Sequence, residues 1–412
     1  MVDRRSVLKL GGGAAALGVT GGVIALVARN GDDGVGDGEA FESIDIDYGE
    51  YDSPEAIYRV WTGYPRRFSF VDDGAYTGET ALRCAIPANA SDGSNAMFWF
   101  PDNGYDQPRE VTQRAMVRLS DDWTMADGDV CRFWSAGLNT AAGPHGSGGR
   151  GRPSGDDGWS SMFAVTERET DSDALYNLSA YTYHMDQDDA SGEFEVIDAP
   201  VPAGKWFRFA TSARMNTVSD GDAEPDGEVR CWLNGDLVYE RTDFRWTTTE
   251  TQAIEYAGPL VRYGGGETAP TDLAVFYDDH RLRGNGAADG SARDPDPFVA
   301  DPSEMDAYES RITVATDEET TYRLYVDGYA VHTQWSNVDG HEAFPNETVD
   351  VSLAGNTETG YVTVEATAEP DTADGYLFDG ELLALETDAE LAELWVSGQR
   401  VDPDEYPSAP DE

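Results

Sequence analysis

Tyr181 and Tyr183 stand two residues apart in a run, Leu178 to Met185, whose alternation is that of a half-buried β-strand. Alternate residues of a strand share a face, so the two phenols stand side by side with their Cα atoms about 6.5 Å apart. Trp159 to Val165 alternates in the same way, with Ser160, Met162 and Ala164 on one face and Trp159, Ser161 and Phe163 on the other. His184 follows the tyrosines on the opposite face. Two phenols beside a serine, with a histidine at the edge of a groove, can work on a proton. Tyrosines are also common in strands simply because they fit there.

Such a pair needs a sheet to hold it. From Phe41 to Leu282 the chain consists of short alternating runs broken by Gly, Pro, Asn and Asp, with no helical periodicity beyond two turns. That pattern predicts an all-β fold, one large sandwich or jelly roll over residues 41–282. Strands are expected at Arg114 to Leu119, Asp129 to Ala136, Trp206 to Met215 and Thr271 to Tyr277. The strongest hairpin signal is Glu228 to Leu233, Asn234-Gly235, Asp236 to Glu240. The loop Asn139 to Asp157 is rich in glycine and carries Arg150 and Arg152; it is either a plain flexible loop or the cover of a binding groove. Residues 283–306 read as a Gly/Asp/Pro linker, 307–402 as a small accessory β-sandwich, and 403–412 as an acidic tail.

Composition narrows the setting. The 412 residues carry 28 basic and 79 acidic side chains, a formal charge of -51, and lysine occurs only at Lys9 and Lys205. A chain that is nonetheless 40% hydrophobic is not disordered. It suits a folded protein in strong brine, where repulsion is screened within a few ångströms, and a halophilic archaeal source is expected. Nucleic acid is excluded as a partner, since phosphate contacts need basic patches. Arg4-Arg5 ahead of an apolar, Gly/Ala-rich run to Ala28 is a twin-arginine export address, followed by a linker over 29–40. Leu26-Val27-Ala28 supplies a small-residue cleavage site, while the uncut run is long enough to span a bilayer, so released and membrane-anchored forms both fit. Cys84, Cys131 and Cys231 are expected to be buried, with one disulfide open to them in an extracellular setting. No spacing suggests a metal site, and no cofactor is expected.

The run Gly204-Lys205-Trp206, then Arg214-Met215-Asn216, Asp226-Gly227-Glu228, Trp232-Leu233-Asn234-Gly235 and Arg262-Tyr263-Gly264-Gly265-Gly266 up to Phe276-Tyr277-Asp278-Asp279 resembles polysaccharide lyase family 14 in order and spacing. The resemblance covers about Glu110 to Leu282. It implies a jelly roll that cleaves alginate or glucuronan by β-elimination, with an acidic polysaccharide as partner. It also implies that Tyr181 and Tyr183 are the proton-transfer pair and that Ser160 orients substrate. The family's arginine position falls on Met162 and its lysine position on Trp134, so both cationic positions are apolar here. That leaves Arg132, Arg150, Arg152 or Arg168 to neutralise the uronate; in a cleft that binds sugar without cutting it, Trp134 is the expected stacking platform, and His184 is expected to touch substrate at the groove edge.

The alternative is a catalytically silent carbohydrate-binding or cell-surface protein with the same fold. A third reading is hydrolysis or calcium binding by the acidic pairs Asp156-Asp157, Asp188-Asp189 and Asp278-Asp279, whose default in so acidic a chain is solvated surface. Lys205 reads as a structural turn residue rather than a catalyst. Asn89, Asn177 and Asn346 occupy glycosylation sequons.

Overall fold

A computed structural model describes residues 41–410 apart from 42, 61–64, 73, 127, 139–150, 167–174, 189, 265–266, 285–307, 334–341, 344–350 and 356–360. The twin-arginine segment, Arg150, Arg168 and Asn346 lie outside the described residues. The first strands are β1 (Ser43–Ile46), β2 (Tyr58–Arg59), β3 (Phe68–Val71), β4 (Ala81–Ile86), β5 (Met97–Trp99), β6 (Glu110–Leu119) and β7 (Val130–Leu138). The two runs around the tyrosines form β8 (Trp159–Thr166) and β9 (Leu175–Tyr183), and β10 (Glu193–Pro202) and β11 (Trp206–Arg214) follow. After the short β12 (Val218–Ser219) and β13 (Asp222–Ala223) come β14 (Gly227–Leu233), β15 (Asp236–Phe244), β16 (Tyr256–Tyr263) and β17 (Leu273–Arg283). The fold is all-β, as the alternation predicts.

Apart from the β12-β13 ribbon, these strands make two antiparallel sheets. One runs β15-β14-β11-β6-β17-β4-β3 with β1 added on β17; the other runs β10-β9-β8-β7-β16-β5-β2. Apolar residues of both inner faces, among them Phe133, Phe163, Leu178, Phe207, Val229 and Tyr277, close one core between the sheets. The Asn234-Gly235 turn joins β14 to β15 with φ of 52° and 98°, the left-handed pair that a tight hairpin turn requires.

C-terminal to residue 307 lie β18 (Ser310–Thr316), β19 (Thr320–Val326), β20 (Ala330–Thr333), β21 (Glu342–Ala343), β22 (Val351–Gly355), β23 (Val362–Ala368), β24 (Thr372–Phe378), β25 (Leu382–Thr387), β26 (Glu393–Val396) and β27 (Gln399–Val401); the expected linker lies outside the described residues apart from Arg283, which ends β17, and Gly284. They form a six-stranded and a four-stranded sheet around a core of their own. Tyr308, Tyr329, Val331 and Leu377 pack instead into the larger core, and Asn234 donates a hydrogen bond to the Tyr329 hydroxyl. The small sandwich is therefore docked on the large one, and the described residues make one compact unit.

Candidate functional site

The tyrosine-bearing sheet has two faces, and the strand registers say what lies on each. On the outer face, three transverse rows cross the sheet. The first is Tyr256, Gly137, Ser160 and Tyr183; the second is Gly258, Ser135, Met162, Tyr181 and Phe194; the third is Arg262, Arg132, Ala164, Ser179 and Val196. Tyr181, Tyr183, Ser160 and Arg132 thus share one face. They are supported by a small apolar cluster of Met97, Trp99, Met162, Tyr183, Tyr256 and Leu260, separate from the core between the sheets.

The two phenols touch hydroxyl to hydroxyl at 2.8 Å, with their rings edge to face at 5.3 Å. Tyr181 also donates to the carbonyl of Ser191 in the β9–β10 turn. Gly192 allows that turn to lie against the rings, for its φ is +81° and a Cβ there would stand 2.9 Å from the Tyr183 ring. Tyr181 is half-buried, whereas Tyr183 is 0% exposed. Ser160 is buried opposite Tyr183. At Gly137 a Cβ would fall 2.5 Å from the Tyr256 hydroxyl, so the glycine lets that ring cross towards Ser160.

The guanidinium of Arg132 lies 5.6 Å from the centre of the Tyr181 ring. It donates to the carbonyl of Gly264, while its buried Nε has no hydrogen-bond partner. Burial first, and Arg262 second, pull Arg132 below its ordinary pKa, and the charges of Tyr181 and Tyr183 act the other way. Arginine stays cationic under such a shift. A buried guanidinium with an orphaned donor, beside a second guanidinium, is a site short of an anion. Arg262 itself stands 3.8 Å from Asp92. Arg132 therefore brings a cation to the face from which Met162 had removed one.

Other expected site residues are elsewhere. The β7–β8 register shifts between Arg132 and Trp134, and the bulge turns both Phe133 and Trp134 inward. Trp134 is 0% exposed, stacks on Tyr277 and donates to Thr211 at 3.0 Å. It cannot be a stacking platform for sugar. His184 also faces away from the tyrosines, packed edge-on against Phe244. Its Nδ1 accepts from the Asp186 amide, so Nε2 carries the proton that it donates to Glu193 at 2.6 Å. Burial lowers its pKa, and the residue latches the β9–β10 hairpin rather than lining the groove. Arg152 is exposed and acts on Asp186, whose pKa is lowered chiefly by Arg245; it is not brought to the tyrosines.

Asp188 is exposed and Asp189 lies outside the described residues, but the other two acidic pairs are not merely solvated. Asp157 and Asp278 are buried, accepting from the amides of Ser154 and Thr77 respectively. Among the described residues no group of three or more His, Cys, Asp or Glu is placed to hold a metal. All three cysteines are buried and free, which leaves the disulfide unformed. Asn177 is buried within β9 and is closed to glycosylation.

The sequence reading missed Arg262, Tyr256 and Trp99. Arg262 lies in the very Arg-Tyr-Gly-Gly-Gly run that carries the resemblance, but Pro259 masked β16 as a strand. Arg59, over the Trp99 ring at 3.6 Å, was likewise not foreseen.

The family model described as polysaccharide lyase matches residues 35–280. The chain belongs to this polysaccharide lyase family. No curated protein matches it. Among solved structures this polysaccharide lyase chain is similar to alginate lyase Aly36B, at 17% identity over 60% of this chain and 98% of that one, with a TM-score of 0.43. It is similar also to an alginate lyase from Chlorella virus, at 16% identity over 53% and 91%, TM-score 0.42. A third is the endo-beta-1,4-glucuronan lyase of the fungus Trichoderma reesei, at 18% identity over 63% and 100%, TM-score 0.38.

Proposed function

We propose that this protein cleaves a uronate-containing acidic polysaccharide, of alginate or glucuronan type, by β-elimination. The observation that carries the reading is the Tyr181–Tyr183 hydroxyl pair at 2.8 Å with the Arg132 guanidinium over the Tyr181 ring. β-Elimination removes the proton on C5 of a uronate, breaks the bond from C4 to O4 and leaves a double bond between C4 and C5. The C5 proton is acidic only when the carboxylate is neutralised, because charge accumulates there in the transition state. Arg132 and Arg262 supply that neutralisation.

In this reading Tyr181, the phenol nearer solvent, meets the sugar, and Tyr183 lies behind it as proton partner. Tyr181, as phenolate, takes the C5 proton and passes it to O4 as the bond from C4 to O4 breaks, so that it ends as the phenolate it began as, steadied throughout by the hydroxyl of Tyr183. A guanidinium beside the ring favours the phenolate that this requires. Ser160, beside Tyr183, orients the pair and the substrate. The same proposal carries export by the twin-arginine route and work in brine.

The complete burial of Tyr183 favours a second reading, a carbohydrate-binding protein that does not cut. Absorbance of the unsaturated uronate, followed in strong salt over a panel of uronans, separates the two. Product that vanishes in Tyr181→Phe establishes the lyase; retention of polymer without product establishes the binder.

A further inference from the structure

Strand β10 is built inside out along its first half. It reads Glu193-Phe194-Glu195-Val196, and the acids, not the apolar residues, face the other sheet. Glu193 is held by His184 at 2.6 Å and by Arg241 at 2.9 Å, and Glu195 hydrogen-bonds Tyr239. Phe194 and Val196 are turned outward, 42% and 52% exposed. A sandwich strand ordinarily points its apolar residues in and its polar ones out; inward charges can protect an edge strand, but they do not call for apolar residues on its outer face. Among the described residues only Leu237 is a third large hydrophobic so exposed, in a chain of net charge -51. Arg241, His184 and Tyr239 account for the inward turn of the two acids, but nothing in the packing accounts for Phe194 and Val196 standing exposed.

Position supplies the reason. Phe194 is directly opposite Tyr181, with the two rings 6.1 Å apart and inclined at 61°. Val196 ends the row that Arg132 and Arg262 begin. The apolar pair therefore continues the candidate site towards the sheet edge. Adjacent strands lie about 4.8 Å apart, close to the length of one 1,4-linked pyranose. A chain laid across the strands, with a carboxylate at Arg132 and its reacting bond at Tyr181, places a neighbouring sugar over β10.

We propose that Phe194, with Val196 beside it, is a sugar-stacking subsite that takes the C–H face of the pyranose next to the unit held at Tyr181. The negative face of an aromatic ring attracts the polarised C–H bonds of that sugar face, and the ring asks for no charge, so it holds polymer where the surface is otherwise repulsive to uronates. The proposal rests on the polysaccharide reading above, but not on catalysis.

The test uses the full chain in strong salt, with polymannuronate, polyguluronate and glucuronan as probes. Both retention in affinity electrophoresis and the rate of unsaturated product are measured. Phe194→Ala is expected to weaken retention and raise KM about tenfold with kcat within twofold, and Phe194→Trp to restore both. If the parent protein cleaves a uronan and Phe194→Ala leaves retention and KM unchanged, the subsite is overturned while the lyase stands. If the parent is retained without product and Phe194→Ala abolishes retention, the lyase reading fails and the subsite stands. A parent neither retained nor active on any of the three polymers overturns both.

Discussion

Among the described residues three pairs of tyrosines touch hydroxyl to hydroxyl in different parts of this molecule, and their neighbours set them apart. Tyr181 and Tyr183, 2.8 Å apart, stand on the outer face of a sheet beside Arg132. Tyr322 and Tyr376, 2.6 Å apart, lie in the core of the small sandwich. There Tyr322 donates to Asp374, and the His332 ring lies 5.4 Å from that of Tyr376. Burial foremost, with Asp374 adding to it, pushes both of these phenols well above their ordinary pKa. A guanidinium supports a phenolate and a buried carboxylate opposes one. Tyr48 and Tyr58, bonded at 2.8 Å in the large core, are a third such pair, also pushed up chiefly by burial. A phenol pair is thus a structural bond or a proton-handling device according to the charge beside it, and hydroxyl geometry alone does not tell which.

The largest expected effect breaks the comparison at that charge. Arg132→Met should lower the rate of unsaturated product about a thousandfold, the usual scale for removing one stabilising donor from a developing anion. Tyr322→Phe should leave that rate unchanged. Initial rates on the preferred uronan check both, and equal losses in the two variants would erase the distinction.

The next effect is on stability, inside the small sandwich. Burial raises Asp374 from 3.8 to about 6 and lowers His332 from 6.5 to about 4. Between about 4 and 6 the native state holds a proton on Asp374 that the unfolded chain releases, so this group makes stability fall as pH rises. In nearly the same window the native state lacks a proton on His332 that the unfolded chain holds, so that group makes stability rise with pH. The two slopes oppose each other in the parent. Asp374→Asn should expose the rising slope and His332→Gln the falling one, each up to about 3 kcal/mol across the window. Thermal midpoints of parent and variants from pH 4 to 6.5 are the measurement, and changes of slope relative to the parent that have the same sign in both variants would refute the account. Tyr322→Phe, which strips Asp374 of its donor, should cost about 1–3 kcal/mol at neutral pH. Tyr181→Phe should cost less, because its face opens to water; denaturant midpoints compare them.

How much of this could be read beforehand follows from what period-2 alternation records. Tyr181, Tyr183 and Ser160 were legible as one face because β8 and β9 alternate without interruption. The Asn234-Gly235 hairpin was legible from its turn residues. Strand β10 was not, for its acids face inward and it carries Pro200 and Pro202, and Pro259 hid β16 together with Arg262. Trp134 was misplaced by a single bulge, since one extra residue in β7 sends the next side chain to the opposite face. His184 was put on the correct face, but its partner Glu193 could not be found without the hairpin. That Arg132 shares the tyrosines' face depended on cross-strand register, which spacing within one strand does not contain.

Lys205 sharpens the comparison with the smallest effect. It too is a cation against a tyrosine, 4.7 Å over the Tyr308 ring, and it pairs with Asp379 at 3.1 Å, where burial raises the carboxyl and the lysine opposes that rise. The trio ties the turn before β11 to the small sandwich. A cation beside one tyrosine at a junction should act as a clamp, not as a catalyst. Lys205→Met should leave turnover within twofold and cost about 1 kcal/mol, the upper range for a partly exposed pair. Asp379→Asn should cost a similar amount, and the double variant little more than either, because each single change already breaks the shared contact. A loss of turnover in Lys205→Met with an unchanged unfolding midpoint would move this lysine from the junction to the chemistry.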